Sequence, residues 1–407
     1  MTHRRAALGS FATASLAVLG GCVIPGRSES DTETTIHTKW EHRIRFPRFG
    51  VYDDTDRLLV APLNEPRGFA SPNASRGLVS VDPATGDVAW ELALNGNAEH
   101  ELATDHKLSS DISPPLVIED TVYAMSDLGY CFALDAGSGD LMWDFRDGSL
   151  ARPGTIPRKT KIERPVRLGS TVCVLAQSKS GDNTRIIGHD SETGELEFEY
   201  GVDDELHDGP VTTDTALVIP QADGILEAIG SDGNLQWTTT VDTDVFSITA
   251  SDDQVVVVGQ DRILVAIDGT DGTTRWETEI GVPRTKPMVC DESVLFGSGE
   301  ELVAVSLDRG EKSWTESIGT AGTRLTVTER YVLILGGVQG RLRETESHAE
   351  YQQLLSIHDR ETGTQITEHI HDEPPESPRM NDIHGFGEQV FLSRGNNLSE
   401  LDTTQFE

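Results

Sequence analysis

One segment recurs seven times along the chain, and it limits what the chain can fold into. It reads LVSVDPATGDVAWEL from Leu78, CFALDAGSGDLMWDF from Cys131, IIGHDSETGELEFEY from Ile186 and LEAIGSDGNLQWTT from Leu226. It returns as LVAIDGTDGTTRWET from Leu264, LVAVSLDRGEKSWTE from Leu302 and LLSIHDRETGTQITE from Leu354. The turn glycines Gly86, Gly139, Gly194, Gly233, Gly272, Gly310 and Gly363 are spaced by 53, 55, 39, 39, 38 and 53 residues. A core period near 39, lengthened by insertions, lies in the range of propeller blades.

Each part of the segment has a physical reading. The alternating apolar run is a strand. The Asp that opens the turn accepts from backbone N–H groups within it, and the Gly takes the positive φ of a bulged hairpin. A second strand follows, with a large aromatic four residues after the Gly. Trp90, Trp143, Trp237, Trp276 and Trp314 hold this position, Phe198 holds it in the third repeat and Thr367 in the seventh. A ring there can bury its area between neighbouring blades. Before each segment lies a strand pair, often opened by Pro, as at Pro115, Pro165, Pro210 and Pro287. Each repeat therefore has four strands, A to D from the inside outward.

An eighth repeat runs from Ile383 to Asp402 and lacks its outer strand. The sixth Trp, Trp40, stands near the N-terminus with no third strand before it. Residues 38–44 are therefore expected to complete the last blade, and closure removes exposed sheet edges. The expected fold is all-β: an eight-bladed β-propeller of four-stranded antiparallel blades, closed by an N-terminal strand.

These residues resemble the PQQ-like β-propeller repeat, with a consensus near A-x-D-x-x-T-G-x-x-x-W, over nearly all of 38–402. That family includes quinoprotein alcohol dehydrogenases and the lipoprotein subunit of the β-barrel assembly machinery. It also holds many exported proteins without known activity, so the resemblance is strong for fold and weak for function. A quinoprotein dehydrogenase has an adjacent Cys pair, and Cys22, Cys131, Cys173 and Cys290 include none. No quinone or other cofactor is expected. The last three Cys sit in strand-like runs and read as small buried apolar groups.

The ends and the charge speak to location. Arg4-Arg5 precede an uncharged stretch from Ala6 to Gly21, short for a membrane span and suited to a signal peptide. The twin arginine is similar to a Tat signal, and Leu19-Gly20-Gly21-Cys22 is similar to a lipobox that places lipid on Cys22. The expected organisation is a signal peptide over 1–21, a lipidated acidic tether over 22–37 and the propeller over 38–407. The chain would be exported and anchored to the outer side of the cytoplasmic membrane. The formal charge is −35, with 68 acidic residues against 33 basic ones. That repels nucleic acid, and the many acids with only seven Lys resemble halophilic proteins. A monomer is expected.

Chemistry-bearing motifs are sparse. The turn residues Asp82, Asp135, Asp190, Asp268 and Asp359 are required by the turns themselves. His369 and His371 share a spacing that can hold Zn, but solvated surface His is the plainer reading. The sequons at Asn73 and Asn397 are common by chance. In the blade scheme the long connections 64–76, 93–112, 146–164, 178–184, 337–351 and 371–380 all fall on one face, as in the binding face of a repeat protein. From Arg146 to Arg167, seven cations face only Asp147 and Glu163. Arg152, Arg158, Lys159 and Lys161 are the expected core of a contact with a protein or anionic polymer; neutralisation of neighbouring carboxylates is the competing reading. The leading function is a membrane-anchored binding scaffold. The alternative is a quinoprotein-like or hydrolytic enzyme using the same face.

Overall fold

The computed structural model describes residues 37–43, 49–53, 58–62, 77–93, 113–125, 130–146, 164–177, 184–202, 206, 208–251, 253–318, 321–337, 352–372, 380–395 and 397–406. They form eight sheets of four antiparallel strands, in a propeller ring. Strands A to D of blade 1 are Phe49–Asp53, Leu58–Pro62, Gly77–Val81 and Val88–Ala93. Blade 2 has Leu116–Ile118, Thr121–Met125, Tyr130–Asp135 and Leu141–Arg146, and blade 3 has Val166–Leu168, Thr171–Gln177, Thr184–Asp190 and Leu196–Val202. Blade 4 has Val211–Thr212, Leu217–Pro220, Ile225–Ile229 and Leu235–Thr240, and blade 5 has Val245–Ala250, Gln254–Gly259, Ile263–Asp268 and Thr274–Glu279. Blade 6 has Met288–Cys290, Ser293–Ser298, Glu301–Ser306 and Lys312–Ser317, and blade 7 has Ala321–Val327, Tyr331–Gly337, Gln352–Asp359 and Gln365–Asp372. Blade 8 takes Met380–Phe386, Gln389–Arg394 and Asn397–Leu401 from the C-terminus and Thr38–Arg43 from the N-terminus.

The closure expected from Trp40 is therefore present. Thr38 pairs with Leu401 and Arg43 with Asn397. Lys39 Nζ lies 2.7 Å from Glu400 Oε1, and Gln405 grips His37 through its amide, accepting from His37 N at 3.0 Å. Two stretches of one sheet, far apart in sequence, are thus hydrogen-bonded into a single blade, which leaves no open ring edge.

The repeated aromatic joins each blade to the next. Trp40 Nε1 donates to Pro83 O at 3.0 Å, Trp90 to Ala136 O at 2.8 Å and Trp143 to Ser191 O at 2.9 Å. Trp237 donates to Gly269 O at 3.1 Å and Trp276 to Leu307 O at 2.8 Å. The acceptor is in each case the residue after the first turn position of the next blade. Where that residue is not proline, it also donates its N–H to the A–B turn of its own blade, as Ala136 N does to Asp120 O and Ser191 N to Ser170 O, both at 2.8 Å. One residue thus ties the A–B and C–D turns of its blade to the aromatic of the blade before it.

The turn glycine is needed twice over. Gly272 has φ +75°, and a Cβ there would lie 2.7 Å from Trp237 Cε3. Thr367 in the seventh repeat follows from the same geometry. The blade after it has no C–D turn, because its outer strand comes from the other end of the chain, so no glycine waits for a ring. Phe406, in the 3-10 turn Thr403–Phe406, instead enters the core between blades 7 and 8, edge-on to Tyr331 with ring centroids 5.9 Å apart.

Candidate docking face

Strands alternate in direction within a blade, so A–B and C–D turns lie at one end and B–C and D–A links at the other. At the turn end no connection is longer than 82–87. At the link end the strands leave 63–76, 94–115, 147–165 and 338–351 between them. The asymmetry read from the sequence is thus carried by the strand order itself.

The turn end is chemically closed. Asp82 Oδ1 accepts from Ala84 N at 2.8 Å and Thr85 N at 3.1 Å, and Asp190 Oδ1 accepts from Thr193 N and Oγ1, both at 2.8 Å. In Asp268 the Thr270 hydroxyl first, then Arg275, hold the carboxyl down to about 2. Asp190 and Asp268, held below the usual carboxylate range by the bonds within their turns, stay ionised, which suits them poorly to proton transfer near neutrality.

The link end carries a buried carboxylate that joins several blades. Asp208, between blades 3 and 4, is 9% exposed. It accepts from Ser247 Oγ at 2.9 Å and Ile248 N at 3.2 Å, both on blade 5, and from Lys286 Nζ at 2.6 Å, between blades 5 and 6. Strand A of blade 4 has only two residues, so this carboxylate spans the shortened stretch of the inner wall. Around it Phe246 is 39% exposed, pushed out at a bulge between Val245 and Ser247. Matching bulges interrupt strand A of blades 7 and 8, next to Arg324 and Asp382. Arg324 Nε lies 3.5 Å from Asp382 Oδ1, and burial raises the Asp382 carboxyl above its ordinary range. Among the described residues no three His, Cys, Asp or Glu side chains gather as a metal site.

The other sequence expectations fall unevenly on the structure. Cys22, Arg152, Arg158, Lys159 and Lys161 lie outside the described residues. Of the same basic segment, Arg164 is exposed and donates through Nε to Pro115 O at 2.9 Å, which ties blade 3 to blade 2. Cys131 and Cys173 are buried between blades 2 and 3 and between blades 3 and 4, and burial pushes each thiol up to about 12. His369 and His371 stand on the outer strand of blade 7. The sequon at Asn397 lies in a paired strand whose Ser399 is 6% exposed, so the folded chain does not offer it to a glycosyltransferase. Asp208, Phe406 and two fully buried histidines, His189 and His358, were not found from sequence. Of these only the histidines had a visible signal, as polar residues in an aliphatic column of the repeat.

A family model described as outer membrane protein assembly factor BamB matches residues 57–162 and 133–402. The chain belongs to this family. Among solved structures, BamB from Moraxella catarrhalis is similar at 15% identity and a TM-score of 0.57, over 90% of this chain and 100% of that one. The computationally designed Ika8 protein is similar at 13% identity and a TM-score of 0.60, over 91% of this chain and 98% of that one. At such identities the two structures share the fold with this chain. No curated protein matches the sequence.

Proposed function

We propose that the chain is an exported propeller, held at the outer side of the cytoplasmic membrane by lipid on Cys22, that docks a protein partner through its link end. The observation that carries this reading is the division of the ring into a turn end without long connections and a link end that holds all of them. Extra backbone without packing costs ordering entropy, so such connections are kept where a partner orders them. Membership of a family described as an assembly factor supports a protein partner over an anionic polymer.

The direction of the closing strand supports the arrangement. His37 O accepts from Asp402 N at 2.9 Å, at the turn end of blade 8. Residue 37 therefore lies at the end of the ring opposite the ends of the strands that the long connections join. Arg152, Arg158, Lys159 and Lys161 then form a cationic spot on an acidic body, which steers an acidic partner surface toward it. Nucleic acid is repelled by the remainder, and the ring acts as a monomer.

The Cys22→Ser protein tests the anchor. It is expected in the soluble or medium fraction after cell fractionation at high salt, with the wild type in the membrane pellet. A variant that still pellets with membranes places the attachment elsewhere.

A further inference from the structure

Eight equivalent positions close strand C just before the outer turn, and all are fully buried. Six are aliphatic: Val81, Leu134, Ile229, Ile267, Val305 and Leu401, each 0% exposed. The other two are His189 in blade 3 and His358 in blade 7, also 0% exposed. These blades lie opposite one another in the eight-membered ring. Each imidazole meets the carbonyl of its own turn glycine through Nδ1, His189 with Gly194 O at 3.2 Å and His358 with Gly363 O at 3.0 Å. Since a carbonyl only accepts, the proton sits on Nδ1, and Nε2 of the neutral ring is an acceptor. For His358 the acceptor is used by Ser356 Oγ at 2.7 Å. For His189 the buried Nε2 has no hydrogen-bond partner among the described residues.

Each ring is part of a seam between blades. His189 packs on the outer strand of blade 2, 4.4 Å from the Phe145 ring and 6.2 Å from Trp143 between centroids. The charged group that faces it is Glu197, on the neighbouring strand D, itself bonded to Thr171 Oγ1 at 2.6 Å. His358 faces Glu316 on the outer strand of blade 6 and Glu368 on its own strand D. Burial is the larger influence on both rings and keeps them neutral; the carboxylates oppose it in part.

We propose that His189 and His358 form an acid-sensitive hinge line across the propeller. The seams they occupy, blades 2–3 and 6–7, divide the ring into two arcs of four blades each. Protonation at Nε2 places a charge in each seam. At His358 it also turns the acceptor for Ser356 into a donor, and at His189 it creates a buried donor with no acceptor. Both changes weaken the contact between arcs while each arc keeps its own seams, which are aliphatic at this position.

The sign follows from proton counts. An unfolded histidine binds its proton near pH 6.5, and these two do so only at lower pH in the fold. Between those values the unfolded chain holds more protons, so stability is complete above about pH 6.5 and is lost as pH falls below it. Each histidine contributes up to about tenfold in the unfolding constant per pH unit.

The test compares the full-length protein with the His189→Leu, His358→Leu double variant, at pH 7.5 and 5.5, by denaturant unfolding and by hydrogen exchange corrected for intrinsic rates. The remaining ionisable groups are common to both proteins, so the difference isolates the pair. The unfolding constant of the wild type is expected to rise by up to about a hundredfold more than that of the double variant between pH 7.5 and 5.5. At pH 5.5 its amides should exchange faster in strands Leu141–Arg146 and Thr184–Asp190, and in Lys312–Ser317 and Gln352–Asp359, than in the seam of blades 4–5. Equal pH dependence of the two proteins, or exchange that rises evenly around the ring, overturns the proposal. Should the double variant fail to fold, the exchange pattern of the wild type alone decides it.

Discussion

Removal of residues 37–46 should lower the unfolding free energy by about 4 kcal/mol or more, the scale of losing one buried Trp with its packing. Trp40 links blade 8 to blade 1: its indole donates to Pro83 O and lies against Gly86, where a Cβ has no room. The same deletion strips the ladder from Asn397–Leu401 and takes Lys39 from Glu400, which is 2% exposed. A buried carboxylate that loses its cation costs more than the pair contributes. Gln389 Nε2, 3.0 Å from Glu400 Oε1, remains as a partial substitute. Urea unfolding followed by tryptophan fluorescence reads the effect. A midpoint and slope equal to those of the intact chain would show that the ring does not depend on this closure.

Asp208→Ala is expected to cost about 2–4 kcal/mol, because it leaves buried donors on Ser247 and Ile248 without an acceptor. Lys286→Met should cost much less, under about 1 kcal/mol. The lysine end of the pair is 66% exposed and reached by solvent, and the buried Asp208 keeps its bonds from Ser247 Oγ and Ile248 N when the lysine is gone. The contrast separates two roles for the cluster. A large effect at Asp208 with a small one at Lys286 marks a brace of the inner wall. Equal losses at both would make the ion pair itself the stabilising element. The comparison uses chemical denaturation at fixed salt, since an acidic body of this charge changes stability with ionic strength.

Much of the architecture is legible in the sequence, for a local reason. The Asp, the Gly and the aromatic of each repeat are required by one turn and one seam, so they recur at fixed offsets. Closure is legible because Trp40 and the half repeat ending at Asp402 each lack what the other supplies. The direction of the insertions follows from counting strands. What sequence does not reveal depends on contacts between links that are distant along the chain. Asp208 meets Ser247 and Lys286 only because strand A of blade 4 is short, and nothing near Asp208 announces that. Phe406 belongs to no repeat, so its place between blades 7 and 8 carries no periodic signal. His189 and His358 are visible as exceptions in a column of aliphatic residues, but their burial is settled by the seams around them. The cationic residues of 152–161 stand out by charge alone, and charge on an acidic protein fits both contact and neutralisation.

Photo-cross-linking from the two ends of the ring tests the central reading most directly. The cross-linker is placed singly at Arg158, in the connection from blade 2 to blade 3, at Arg284 on the link end, and at Ala84 and Glu192 on the turn end, in the protein expressed in cells with its N-terminal segment intact. Arg284, Ala84 and Glu192 are exposed in the fold. Discrete protein adducts are expected from positions 158 and 284 and not from 84 or 192. Reversal of Arg152, Lys159 and Lys161 to Glu should then reduce the adducts at 158 and 284 by about tenfold, for a loss near 1.4 kcal/mol in docking, without a shift in melting temperature. Adducts of equal yield from both ends, or a fall in melting temperature with adducts unchanged, would contradict docking through the link end.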